Sequence, residues 1–139
     1  MNAKEYLLQI KKLDLMIRNK KAEIQQLKDI AGSITPTMSG ERVQSSGNPQ
    51  RIADAIDKYL DIETEIQRDF EELLRKRREI IGKIEQLNAI EYDVLHKIYV
   101  QYLNFDEVAY ACNYSRSWVT TVHGRALAHL QDILNRDNG

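Results

Sequence analysis

Ile52, Tyr59, Ile66, Leu73, Ile80 and Leu87 stand seven residues apart without a break. A second row, Ile56, Glu63, Phe70, Arg77 and Ile84, follows each of the first five by four residues. Alternating steps of four and three over about five heptads describe a helix with a continuous apolar seam, which must find another helix to cover it. Pro49 fits the first turn and Asn48 the N-cap. Gly82 is an interior weak point, costing up to about 1 kcal/mol relative to Ala. The N-terminal stretch has the same character: Ala3, Tyr6, Ile10, Leu13, Ile17, Lys20, Ile24, Leu27 and Ala31 recur at threes and fours, interrupted only by Lys20. Between the two lies GSITPTMSGERVQSSGN, residues 32–48, where periodicity vanishes and Gly, Ser and Thr dominate. That stretch reads as a flexible loop, either a mobile tip or a docking segment for a partner.

Two seamed helices joined by one loop predict an antiparallel coiled-coil hairpin over residues 1–87. Lys20 and Glu63 both interrupt their seams with opposite charge. Together with Glu5 and Arg77 they are expected to face one another and set the register. The run Arg75-Lys76-Arg77-Arg78 is either a solvated face or a supporting phosphate contact. Two helices alone bury such seams poorly, so self-association, with a dimer favoured, is expected.

Residues 88–139 carry a different pattern. Asn88, with Glu91 three residues on, looks like a helix cap, and Ile90, Val94, Leu95, Ile98 and Tyr102 form the inner face that follows. Asn104 with Glu107 has the spacing of a capping box opening a short helix to Ala111. Cys112-Asn113-Tyr114 makes the turn, and Asn113 falls where positive φ is needed. Ser115 caps a last helix whose buried stripe is Val119, Val122, Ala126 and Leu130. Its other face offers Arg116, Ser117, Thr120 and Thr121, and no acid occurs between Val108 and Gln131. A hydroxyl-rich, acid-free helix led by an arginine suits a groove lined by phosphates and base edges. The fold expected is therefore all-α: the hairpin followed by a trihelical helix-turn-helix module. A plain three-helix module that binds protein is the alternative.

The segment SRSWVTTVHGRALAHL resembles the recognition helix of the fourth conserved region of bacterial primary sigma factors. Thr120 and Thr121 stand where that pattern usually has Arg and Gln. With the heptad front half, the His123-Gly124-Arg125-Ala126-Leu127 run is similar to small phage and prophage proteins, the late transcription regulators of the ArpU and RinA type. The resemblance implies sequence-specific binding of double-stranded DNA, control of late genes and contact with RNA polymerase. It assigns base contacts to Arg116, Ser117, Thr120 and Thr121. His123 and Arg125 fall where phosphate contacts are usual. His123 has a packing reading as well, in which Gly124 admits a neighbouring helix. Trp118 either packs on Tyr114 or the hairpin, or stacks against the sugar-phosphate edge.

The net charge of −1 does not advertise nucleic-acid binding. Residues 88–139 hold four basic residues against six acidic ones. Few phosphates are thus neutralised per copy, and two copies or a helper protein are expected. A small-terminase-like packaging subunit, told apart by a ring of subunits, is the runner-up function. The single Cys112 reads as a small core residue in a reducing, cytoplasmic setting. Three His and one Cys lack metal-ligand spacing, no Gly-rich phosphate loop occurs, and paired carboxylates fall on solvated faces. No enzyme, cofactor or metal site is expected. No apolar run is long enough for a membrane span, and charges begin too early for a signal peptide.

Overall fold

The computed structural model describes residues 1–32 and 49–138, and every regular element among them is helical. They are α1 (Ala3–Gly32), α2 (Pro49–Ile84), α3 (Ala89–Leu95) running into a π-helical turn (His96–Val100), α4 (Phe105–Cys112) and α5 (Arg116–Asn138). The expected loop at 32–48 and the Asn48 cap lie outside the described residues, apart from Gly32, which ends α1. No described helix is long and apolar enough to cross a membrane.

The chain forms two compact units, and the division differs from a split at residue 87. One unit joins Met1–Leu13 to Glu72–Gly139; the other is Asp14–Glu71. Both long helices therefore contribute to both units. The first unit gathers Ala3, Leu7, Ile10, Ile80 and Ile84 into the same buried set as Leu95 and Leu130. Polar contacts follow the same grouping. The Ala3 amide donates to Gln131 Oε1 at 2.8 Å, the Tyr6 hydroxyl to Glu79 at 2.7 Å, and Lys83 pairs with Asp137. Burial and the Glu79 carboxylate push the Tyr6 phenol far above its ordinary range.

In the second unit α1 and α2 run antiparallel. Lys20 reaches Asp69 at 2.5 Å and Glu65 at 3.2 Å, while Lys28, further along α1, lies over the Tyr59 ring, earlier in α2. This corrects the expected register. Lys20 does not pair with Glu63, which is exposed, and Glu5 makes no ion pair with Arg77. The inward seam of α2 in this unit uses residues three, not four, after each member of the first row: Ala55, Ile62 and Asp69. Both flanks of the row have heptad spacing. The flank chosen has a small residue at Ala55 and a carboxylate at Asp69 to meet Lys20. Ile56 and Phe70 are left facing water. In the other unit Arg75 pairs with Glu72 and Lys76 with Glu79, so half of the basic run is tied to acids on its own helix.

Candidate nucleic-acid interface

The C-terminal helices are built from local signals. Asn88 Oδ1 accepts from the Glu91 amide at 2.9 Å and opens α3. The Glu91 side chain does not return to the cap. It is 2% exposed, with its two oxygens 2.8 and 2.9 Å from Nδ1 of His129 on α5. Val94 and Leu95 are fully buried as expected, but Ile90 is exposed. After Leu95 the π turn inserts one extra residue into the helical count. The inner face moves accordingly, so that Tyr99 and Val100 are buried, and Tyr102 leaves the helix altogether with φ 65°. A bulky side chain in the left-handed region stores about 1–2 kcal/mol of strain. His96 bonds Gln101 and packs against Tyr92; burial, then Arg77 and Lys97, lowers its pKa.

α4 opens with a full capping box. Asn104 Oδ1 accepts from the Glu107 amide at 2.8 Å, and Glu107 Oε1 accepts from the Asn104 amide at 2.9 Å. It closes at Asn113, held at φ 60°, ψ 39°. Ser115 Oγ then accepts from the Trp118 amide at 3.0 Å and starts α5. The two helices are thus joined by a turn of three residues. Val119, Val122, Ala126 and Leu130 are all fully buried, and Val119 and Val122 pack with Val94, Val108 and Ala109. Each buried Val or Leu contributes about 1.5–3 kcal/mol, which fixes the rotation of α5 about its axis. Cys112 sits against this cluster, with its thiol 3.4 Å from Asp93 and its pKa raised by burial, then by that carboxylate.

That rotation decides which side chains α5 presents. Arg116, Ser117, Thr120 and Thr121 are all exposed. Arg116 Nε lies 3.3 Å from Asp106 on α4, and the Thr120 hydroxyl donates to the Arg116 carbonyl at 3.0 Å. Ser117 and Thr121 make no hydrogen bond among the described residues. Trp118, 37% exposed, lies under the Arg125 guanidinium at 5.4 Å from its ring centroid, one heptad along the same helix. Its partner is therefore neither Tyr114 nor the hairpin.

His123 departs from the expected contact face. Its Nε2 is 2.7 Å from the Tyr99 hydroxyl, its ring stacks on Tyr99, and Phe105 tilts against it at 4.9 Å. Burial, then the Lys4 charge, lowers its pKa, so the neutral ring accepts from the phenol. A committed neutral imidazole has no charge to give a phosphate. The packing reading holds for His123 without a role for Gly124, which is exposed and has nothing near the position of a Cβ.

Three features at the site were not singled out in the sequence. Asp106 holds the leading arginine. Tyr110 on α4 is 90% exposed. A recess of about 490 Å³ lies between Lys11, Tyr99, Tyr102, Phe105 and Arg116. The hint for Asp106 was its place in the first turn of α4, the only acid besides Glu107 near the turn. Among the described residues, no group of three or more His, Cys, Asp or Glu is arranged to hold a metal ion.

No curated protein and no solved structure matches the chain. One family model, described as a protein of unknown function (DUF1492), matches residues 33–131, from the stretch before α2 through most of α5. That span takes in well over half of the sequence, and the chain belongs to the DUF1492 family.

Proposed function

We propose that the chain is a sequence-specific DNA-binding transcription regulator, of the phage or prophage late-gene kind that its last helices resemble, working with RNA polymerase. The observation that carries this reading is the outward face of α5. Arg116, Ser117, Thr120 and Thr121 stand exposed on its first turns, over a fully buried opposite stripe, on a helix without an acid before Asp132. In the major groove an arginine in bidentate contact with guanine contributes about 1–3 kcal/mol of discrimination. The Arg116–Asp106 pair joins two exposed groups and holds Arg116 back by no more than about 1 kcal/mol. The arginine is therefore available to a better partner. Arg125, over Trp118, is suited to the adjacent backbone.

Selection of bound fragments from the source genome at two salt concentrations, with the mass of the bound species, tests the reading. One site beside a promoter, bound by a dimer and weakening steeply with salt, is expected. Arg116→Ala should narrow the gap between specific and random DNA about 5- to 150-fold. A ring bound beside packaging genes favours a small-terminase-like role, and absence of enrichment at low salt sinks both DNA readings. The outward Tyr110 and the negative net charge favour a protein-binding module as the second reading.

A further inference from the structure

α2 bears a second seam on the side turned away from its first. Ile56, Leu60, Phe70 and Leu74 are 46%, 53%, 46% and 50% exposed. With Glu63 and Gln67 between them they follow steps of four, three, four, three and four along one unbroken helix. In the Asp14–Glu71 unit this surface is concave. A recess is lined by Leu60, Glu63, Thr64 and Gln67 and, one turn on, by Arg68 and Glu71. The first four stand at i, i+3, i+4 and i+7, the diamond that receives one knob of a facing helix. At the other end an apolar groove continues from Ile56 and Leu60 to Leu27 and Ala31 of α1.

We infer that this seam is a homodimer interface, in which α2 of a second copy packs antiparallel about a two-fold axis near the level of residue 65. The occupant is identified by the order of the side chains, which reads the same in both directions: two apolar, two polar, two apolar. Antiparallel pairing sets Ile56 against Leu74, Leu60 against Phe70 and Glu63 against Gln67 of the other chain, each twice by symmetry. The Gln67 amide then donates to the Glu63 carboxylate. A slip of one heptad sets Glu63 against Leu74 and Gln67 against Phe70, leaving two carboxylates desolvated without a donor. Parallel pairing in register sets Glu63 against Glu63. An isologous contact is the form a two-fold dimer takes. The inference uses no residue of α4 or α5 and stands whether or not the chain binds DNA.

Sedimentation equilibrium on the full chain without DNA, across a hundredfold range of concentration, gives the first reading. The expected species has twice the 16.2 kDa mass of one chain. The double variant Leu60→Glu, Phe70→Glu should run at the single-chain mass with unchanged helical circular dichroism, because both side chains face water in the monomer. Spin labels supply the register, each placed singly on a Cys112→Ala background. Labels at Thr64 should lie about 3 Å apart along the axis and labels at Asp57 about 24 Å apart, at 1.5 Å per residue. A monomer at every concentration, a dimer that survives the double variant, or equal separations at the two positions would each overturn the inference.

Discussion

His129→Ala should cost the C-terminal module more than an exposed-face substitution normally does, through what it leaves behind at Glu91. The carboxylate is 2% exposed and has no hydrogen-bond partner other than His129 Nδ1. Breaking a fully buried pair costs about 3–5 kcal/mol. The His129 side chain is half open to water, which can follow into the gap, so the expected loss is about 1–3 kcal/mol, that of one stranded buried acceptor. Glu91→Leu keeps the volume and removes the stranded charge, and should be close to neutral. His129→Ala made on top of Glu91→Leu should then cost less than about 0.5 kcal/mol. Trp118 is the sole tryptophan and sits on α5, so its emission during urea unfolding reports this module. At about 2 kcal/mol per molar urea, a 2 kcal/mol loss moves the midpoint by about 1 M. If His129→Ala costs the same whether Glu or Leu stands at 91, the pair contributes nothing and the loss lies in α5 itself.

Three further outcomes use the same titration. Asn113→Ala should cost about 1–2 kcal/mol because Ala tolerates φ 60° poorly, while Asn113→Gly should be neutral or slightly stabilising. Gly124→Ala, in the interior of α5 with space for a Cβ, should stabilise by about 0.4–1 kcal/mol; a loss would mean that something does approach there. The folded-state pKa of His123 lies below its unfolded value of about 6.5, so its contribution is complete above that pH and declines as protons bind the unfolded chain below it. Midpoints should therefore fall as the pH is lowered through about 6.5 toward 5, and His123→Gln should flatten the fall; an unchanged slope would assign the effect to His96, whose pKa is lowered in the same direction.

The parts of this fold legible in the sequence are those decided within a few residues. The Asn104–Glu107 box, the left-handed Asn113, the Ser115 cap and the Val119–Leu130 stripe each follow from neighbours three or four positions away. The inner seam of α2 was not decided locally. Ile56 and Ala55 both fit heptads, and only the partner helix, through Lys20 and Asp69, selects between them. Ile62 was the available hint, an apolar residue on the flank that had been set aside. The Glu91–His129 bond joins residues 38 apart, and Glu91 carries the spacing of a capping residue although its side chain is used elsewhere. At the candidate site the exposed four were readable from the stripe behind them. The inward turn of His123 depends on Tyr99, which the inserted π residue brings into reach.

That inserted residue makes the length of the chain between α3 and α4 a constraint of its own. Removing any one residue from His96–Val100 would restore an ordinary helix and swing everything after it by about 100° relative to α3. Tyr99 would then turn away from His123, and Asn104 would arrive at the wrong angle to open α4. Single-residue deletions in this turn should therefore be lethal to the module even where every individual substitution is mild. Among relatives of this chain the spacing from Val94 to Asn104 should vary less than the identities of the residues that fill it.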